Sequence, residues 1–418
     1  MDELIQRGIQ ALPRLGDGRQ SGTADKPNGL HVLPQDGLAG TLVGRVWRAG
    51  APAGPAVVAL RADGVFDLST HFATMSTLLE TDLPAQAVCS VIGERLCSVD
   101  ALLDNSKAEG RDDAVPWFLA PCDLQVVKAA GVTFAASMIE RVIEEQAGGD
   151  ASRAQGLRTQ VTALIGDSLS DIRPGSAQAQ ALKTLLQQKK LWSQYLEVGI
   201  GPDAEVFTKA PVLASVGHGQ DIGIRADSNW NNPEPEVVLA VNSRGGIVGA
   251  ALGNDVNLRD IEGRSALLLG KAKDNNASCA IGPFIRLFDG HFGLDQLRRE
   301  TVHLQVAGND GYTLRGISTM ASISRDPVDL VAQTLACHQY PDGFMLFLGT
   351  LFAPTEDRDE PGGGFTHKLG DVVTIHSHWL GGLHNRVTHS ETAAPWQFGL
   401  RAFINNLAAR GLLKDGTL

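Results

Sequence analysis

The sequence lacks the features that mark several common classes of protein. Its 418 residues include only five cysteines, scattered without C-x-x-C spacing, so neither a disulfide framework nor a zinc site is indicated. The 36 Lys and Arg residues against 47 Asp and Glu give a net charge of −11, and no basic cluster offsets it, which excludes a nucleic-acid partner. No stretch approaches the roughly 18 apolar residues of a membrane span, and the first residues lack the apolar core of a signal peptide. We therefore expect a cytoplasmic protein without a membrane partner.

The length and the distribution of turn residues indicate two domains. A chain of 418 residues is long for one domain and suits two. Short strand-like runs separated by Gly and Pro precede residue 120, so we expect residues 1–120 to form a small β-rich domain that opens with a helix at Glu3–Leu12. The larger second domain is expected at 121–418. It contains a segment rich in helix formers at about 138–210, which would pack beside the sheet, form a subunit contact or cover the substrate as a lid.

An acidic pair opens the most informative stretch of the chain. Glu234 and Glu236 begin an apolar run that is typical of a strand, and side chains at positions i and i+2 of a strand point to the same face. A Gly-Gly turn at 245–246 predicts a hairpin whose second strand, Ile247 to Leu252, leads into Asp255. We therefore expect the three carboxylates to lie close together in a site surrounded by apolar side chains.

Carboxylates that converge in this way repel one another unless a cation joins them. A hard divalent cation such as Mg²⁺ or Ca²⁺ prefers oxygen ligands and removes that repulsion. The alternative, in which an acidic pair at a strand start is solvated, remains open when the pair is considered alone.

The wider pattern resembles the fumarylacetoacetate hydrolase superfamily. The motif E-x-E at 234–236, the motif G-N-D-V-x-x-R-D around Asp255, and a Lys nine residues before Gly282-Pro283 follow one another as they do in that family. The runs G-V-T-F at 131–134 and Gly-Thr at 349–350 resemble further family elements. The resemblance covers about 121–387 and leaves the helix-rich segment unmatched.

The resemblance implies a fold, an assembly and a set of site residues. The fold class is α+β, with a mixed β-roll catalytic domain of fumarylacetoacetate-hydrolase type, a helical insertion and the small β-rich N-terminal domain. The family usually assembles as a homodimer or homotetramer. By position in the motifs, the divalent-metal ligands are Glu234, Glu236 and Asp255. The active-site lysine is Lys273, with Lys271 as the nearby alternative, and the substrate-facing residues are Thr133, Ser137 and Thr350.

One departure from the family pattern bears on the reaction. Hydrolytic members carry a water-activating His six residues after the Gly of the first motif, whereas this chain has Ser137 there, and Ser is no general base near pH 7. The variants around these motifs are closer to the dehydratases of 2-keto-3-deoxy pentonates derived from xylonate or arabinonate. Glu140 and Glu144, which share a helix face, are the expected alternatives for a carboxylate base.

The resemblance thus implies Mg²⁺-dependent dehydration of a 2-keto-3-deoxy pentonate to 2,5-dioxopentanoate in oxidative pentose catabolism, with Mn²⁺ as a possible replacement for Mg²⁺. Two alternatives stay open. The first is a hydrolase of an acylpyruvate or a 2,4-diketo sugar acid with the same metal site, and the second is a scaffold protein that binds metal or ligand without turnover.

Overall fold

The computed structural model of the protein describes residues 32–107, 110–169, 172–188, 192–361 and 363–413. The helix expected at Glu3–Leu12 lies outside these ranges. The strands are β1 (Leu42–Arg48), β2 (Gly54–Arg61), β3 (Gly64–Asp67), β4 (Glu94–Cys97), β5 (Trp117–Leu119), β6 (Val126–Ala130), β7 (Val206–Ala210), β8 (Asp221–Ile224), β9 (Asn231–Asn232), β10 (Pro235–Val241), β11 (Ile247–Asp255), β12 (Asn257–Leu258), β13 (Cys279–Leu287), β14 (Thr301–Ala307), β15 (Thr313–Thr319), β16 (Phe344–Phe347), β17 (Val372–Ser377) and β18 (Gly381–His389). The helices are α1 (Met75–Leu79), α2 (Pro84–Ser90), α3 (Val99–Asn105), α4 (Ala135–Ala147), α5 (Ala151–Leu169), α6 (Ala177–Gln188), α7 (Gln194–Ile200), α8 (Arg259–Glu262), α9 (Leu269–Lys273), α10 (Leu294–Leu297), α11 (Pro327–Leu335) and α12 (Leu400–Ala409), with short 3-10 helices at Ala266–Leu268 and Met320–Ser322.

In the described residues these strands form three sheets. The largest has the order β4-β3-β2-β1-β13-β11-β10-β16-β6-β7, with β5 paired to β1, and its β16–β6 pair is parallel. The second has the order β15-β14-β17-β18-β8 with a parallel β18–β8 pair, and the third joins β9 to β12. The expected combination of helices with mixed sheets is confirmed.

Strand β10 lies at the centre of the largest sheet and is buried on both faces. Val237, Leu239 and Val241 belong to one hydrophobic cluster, whereas Val238 and Ala240 belong to another on the opposite face. A strand covered on both sides is expected to have a continuous apolar sequence rather than an alternating one. This is the physical reason for the apolar run after the acidic pair, and it holds that pair on a rigid element.

The predicted hairpin between β10 and β11 is confirmed. Its turn is closed by Asn242, whose backbone N–H donates to Gly246 O and whose side-chain Oδ1 accepts from the Gly246 N–H at 2.8 Å. Gly245 has φ +80°, a conformation that a residue with a Cβ rarely adopts. At the other end of the hairpin the Asp255 N–H donates to Glu234 O at 3.0 Å, which fixes the two acidic residues side by side.

The first three strands continue the same large sheet. Strand β1 pairs with β13 through Leu42–Arg286 and Val43–Ile285, and β2 and β3 extend the sheet outward from β1. A hydrophobic cluster between these strands, α3 and Phe118 supports them. The division into domains at residue 120 stays a prediction.

Helices α4 to α7 have a hydrophobic core of their own. Met138, Val142 and Ile143 of α4 pack with Leu196 of α7, and Trp230 joins this cluster from the segment that leads to the acidic pair. Helix α4 ends at Gly148, which has φ +67° and donates to the Glu144 and Glu145 carbonyls. Helix α4 is thereby anchored next to the start of β10. Whether these helices are an insertion of about 138–210 stays a prediction.

Candidate metal centre

Three carboxylates come together at one end of the β10–β11 hairpin. Glu234, Glu236 and Asp255 each offer an oxygen, these oxygens all lie within 4.8 Å of one another, and the side chains are almost completely buried. The pairing of Pro235 with Asn254 and of Glu236 with Gly253 sets this position. The arrangement is the one expected from the sequence; the roles of the three residues stay a proposal.

Two buried lysines hold the carboxylates from opposite sides. Lys273 Nζ lies 2.5 Å from Glu234 Oε2 and 3.0 Å from Asp255 Oδ2, and Lys209 Nζ lies 2.8 Å from Asp255 Oδ1. Burial alone would lower the pKa of Lys273, but the Asp255 and Glu234 carboxylates raise it above its usual range, so this lysine stays an ammonium ion. Lys271 instead points to a partly exposed ion pair, with its Nζ 3.4 Å from Asp227.

Glu236 and Asp255 differ in their affinity for protons. Burial raises the pKa of Glu236 well above its usual range, and the neighbouring Asp255 and Glu234 add to this. Burial opposes ionisation of Asp255 as well, but Lys209 and Lys273 outweigh it and lower the pKa of Asp255. Without a cation, ionisation of Glu236 is therefore disfavoured.

The charges of the donor set fit a divalent cation. Among the described residues, those that line this place or pair directly with its lining comprise six carboxylates and three cationic side chains, so acidic groups are in excess. The carboxylates are Glu144, Glu205, Glu234, Glu236, Asp255 and Glu262, and the cations are Arg141, Lys209 and Lys273. An all-oxygen donor set of this charge suits Mg²⁺.

A small cavity adjoins the three carboxylates. Its volume is about 20 Å³, which is room for about one water molecule or ion. Its lining residues are Ala130, Gly131, Val132, Ser137, Arg141, Glu205, Phe207, Glu234, Glu236, Asp255, Glu262, Lys273 and Thr350. The lining is mainly polar and charged, and its carboxylates outnumber its cationic side chains.

Glu205 is a cavity residue that the sequence motifs did not indicate. Within the described part of the chain its carboxylate has no hydrogen-bond or ion-pair partner, and its Oε2 lies so close to Gly131 that a Cβ there would clash with it. Burial raises the pKa of Glu205 to about 7, with a further contribution from Glu262. The sequence did contain one signal for Glu205, which is the alternation of every second residue along a strand. Glu205 directly precedes β7, and it faces this site together with Phe207 and Lys209 of that strand.

The structure does not bring the two expected bases into the cavity. Both oxygens of Glu140 accept from Arg158, at 2.8 and 2.9 Å. Glu144 accepts from Arg141 at 2.6 Å and lies 3.1 Å from Arg259. Each carboxylate is therefore held in ion pairs, and neither lines the cavity.

The three hydroxyl residues expected to face the substrate are placed differently. Ser137 and Thr350 line the cavity, and their hydroxyls donate to the Phe134 and Phe352 carbonyls at 2.8 and 3.0 Å. Thr133 is completely buried, and its hydroxyl donates to Leu348 O at 2.5 Å without reaching the cavity. Thr133 thus links its own segment to the backbone at Leu348 next to the site, and it does not line the cavity.

Comparison with known proteins finds two relatives that align with more than a third of the chain. The chain is 31% identical over 157 residues to 2-dehydro-3-deoxy-D-arabinonate dehydratase of Saccharolobus solfataricus, which is 37% of this chain and 51% of that protein. It is 31% identical over 203 residues to a probable 2-keto-3-deoxyxylonate dehydratase of Haloferax volcanii, which is 48% of this chain and 66% of that protein. The alignments thus span about half to two thirds of these relatives. No protein-family model matches the chain.

The fold is also found among solved structures. The structure titled 2-keto-3-deoxy-D-arabinonate dehydratase complexed with magnesium and 2,5-dioxopentanoate superposes with a TM-score of 0.58 at 20% identity, covering 84% of this chain and 99% of that one. The resemblance drawn from the motifs is confirmed, since the chain has homologues named as dehydratases of 2-keto-3-deoxy pentonates. None of the helices in the described residues is long and apolar enough to cross a membrane.

Proposed function

We propose that the protein is a hydro-lyase that removes water from a 2-keto-3-deoxy pentonate, derived from xylonate or arabinonate, and yields 2,5-dioxopentanoate. The observation that carries the proposal is the buried cluster of Glu234, Glu236 and Asp255 beside the unpaired carboxylate of Glu205. The names of the two curated relatives support it. In a cell this reaction belongs to the oxidative breakdown of pentoses.

The proposed reaction uses a base and a fixed positive charge, and no nucleophilic water. Glu205 takes a proton from C3 of the substrate, because its raised pKa makes it a competent base near neutral pH. The C4 hydroxyl leaves as water with the proton that Glu205 has taken from C3. Tautomerisation of the unsaturated product then removes one hydrogen from C5 and one from its hydroxyl, adds one each to C3 and C4, and gives the terminal aldehyde. Lys273, held as an ammonium ion, stabilises the negative charge that develops when the C3 proton is lost.

A divalent cation would be held by Glu234, Glu236 and Asp255. It would polarise the 2-keto group and so acidify the protons at C3. The oxygen donors favour Mg²⁺ and would also accept Mn²⁺. A five-carbon acid needs more room than the cavity offers, so we expect side chains that line it to rearrange when substrate binds.

The cavity favours dehydration over hydrolysis of an acylpyruvate. Hydrolysis requires a base that activates water, and no histidine is present among the described residues that line the cavity. Ser137 occupies the place of the hydrolytic His, and its hydroxyl donates to the Phe134 carbonyl. A hydrolase of an acylpyruvate or a 2,4-diketo sugar acid would have to rely on Glu205 alone.

A coupled assay tests the proposal. The protein is incubated with 2-keto-3-deoxy pentonate and Mg²⁺, and product is followed through an NADP-linked dehydrogenase of 2-oxoglutarate semialdehyde. We expect turnover that EDTA and Glu236→Gln abolish. Release of pyruvate from an acylpyruvate would instead support the hydrolase, and binding of Mg²⁺ without turnover of any 2-keto acid would support a scaffold.

A homodimer or homotetramer is proposed for the assembly, on the resemblance alone. Light scattering of the purified protein would measure its mass in solution. A monomer at micromolar concentration would contradict this part of the proposal.

A further inference from the structure

Two charged residues on the side of the cavity formed by α4 and α8 have no role in the proposed reaction. Arg141 projects from α4 and Glu262 from the end of α8, and both side chains are buried and line the cavity. Arg141 Nη1 lies 3.3 Å from Glu262 Oε2, and that oxygen has no hydrogen-bond partner among the described residues. The oxygen is thus in an ion pair but accepts no hydrogen bond, and a buried carboxylate oxygen that accepts none is unusual and indicates that a further donor binds there.

The substrate's oxygens are distributed along its chain in a way that fits this pair. Its carboxylate and keto group, at C1 and C2, are proposed to face the metal ligands and Lys273. The oxygen of the C5 hydroxyl lies four bonds beyond C2; it stays on the chain when water is lost and becomes the aldehyde oxygen of the product. Arg141 also donates to Glu234, so the pair adjoins the metal ligands and is within reach of a chain that extends from them.

We propose that Arg141 and Glu262 recognise the C5 hydroxyl of the substrate and so select a hydroxylated chain; this inference rests on the proposed function. A hydroxyl both donates and accepts, which matches one N–H of the guanidinium and the Oε2 of Glu262 that accepts no hydrogen bond. A methyl group in place of the C5 hydroxymethyl group leaves that buried oxygen without a donor, and such sites reject the analogue that lacks the hydroxyl.

A pair of unreactive ligands tests the inference without turnover. 5-Hydroxy-2-oxopentanoate and 2-oxopentanoate both lack a C4 hydroxyl, so neither can be dehydrated, and they differ only in the C5 hydroxyl. Calorimetry with Mg²⁺ gives the dissociation constant of each. We expect the hydroxylated ligand to bind the unmodified protein at least about tenfold more tightly.

Substitutions of Arg141 and Glu262 test whether these two residues cause the preference for the ligand with the C5 hydroxyl. In Glu262→Met and Arg141→Met we expect the ratio of the two dissociation constants to fall to about one, and Glu262→Gln, which still accepts a hydrogen bond, to keep part of it. Glu144→Gln is the matched control, because Glu144 contacts Arg141 but does not line the cavity. It is expected to weaken both ligands equally and to leave the ratio unchanged.

Failure of the inference and failure of the proposed function are distinguishable. Equal affinity of the unmodified protein for both ligands refutes the inference whether or not the variants fold, and so does an unchanged ratio in both methionine variants. If the proposed function itself is wrong, 2-keto-3-deoxy pentonate is not dehydrated, and that result overturns both.

Discussion

Replacing Glu205 by Gln should make the protein more stable and nearly inactive at once. Burial raises the pKa of this carboxyl from 4.5 to about 7 in the folded protein. A shift of that size corresponds to about 3 kcal/mol, since one unit is ~1.4 kcal/mol. This is an upper bound, because the side chain is not completely buried.

The sign of the pH dependence follows from which state binds the proton more tightly. Between about pH 4.5 and 7 the folded state holds the Glu205 proton and the unfolded state has lost it, so stability falls as pH rises through this window. Above pH 7 both states are ionised and the loss is complete. Gln cannot ionise, so the free energy of unfolding of Glu205→Gln should exceed that of the unmodified protein. This margin should grow from pH 5 to pH 8, to at most about 3 kcal/mol.

Urea unfolding in EDTA at pH 5 and pH 8 measures this margin. In parallel, kcat/KM with Mg²⁺ should fall by a factor of about 10² to 10⁴, the usual contribution of a positioned base. Glu197→Gln is the control, because Glu197 pairs with Lys183 away from the cavity and should show neither effect. A stability margin that does not grow with pH, or a variant that keeps its activity, would refute the assignment of Glu205.

Three further perturbations have defined outcomes. Glu236→Gln should remove the stabilisation by Mg²⁺, which in the unmodified protein is about 2.7 kcal/mol at a Mg²⁺ concentration of 100 times the dissociation constant. Thermal unfolding with and without Mg²⁺ measures this stabilisation. A variant that Mg²⁺ still stabilises would contradict the assignment of Glu236 as a ligand. Lys209→Met should weaken Mg²⁺ binding about 10- to 100-fold in calorimetry, because Asp255 loses the partner at 2.8 Å that orients it, and unchanged affinity would exclude that role. Leu239→Ala should lower the free energy of unfolding by about 2–5 kcal/mol in urea, since Leu239 is completely buried, and a loss below about 1 kcal/mol would mean that the β10 core repacks around the gap.

The sequence contained enough to predict the hairpin and the three carboxylates, because the signals are local. The apolar runs, the Gly-Gly turn and the i, i+2 spacing all lie between residues 234 and 255, and the β10–β11 register brings their ends together. The choice of Lys273 over Lys271 came from the motif spacing. The structure places Lys273 between Glu234 and Asp255.

The proposed base, Glu205, could not be predicted in the same way, because its position depends on contacts between distant segments. Helix periodicity showed that Glu140 and Glu144 share a face, but not that Arg158 and Arg259 hold them away from the cavity. Glu205 reaches the cavity because β7 pairs with β6, although helices α4 to α7 separate these two strands in the sequence. The position of the N-terminal strands likewise depends on the long-range pairing of β1 with β13.

The identity of the product tests the central claim most directly. Uniformly ¹³C-labelled 2-keto-3-deoxy pentonate is incubated with the protein and Mg²⁺, and the carbon spectrum is followed with and without EDTA. We expect 2,5-dioxopentanoate that retains all five labelled carbons and forms only in the presence of the cation. Cleavage into labelled pyruvate and a two-carbon fragment, or formation of the same product in EDTA, would contradict it.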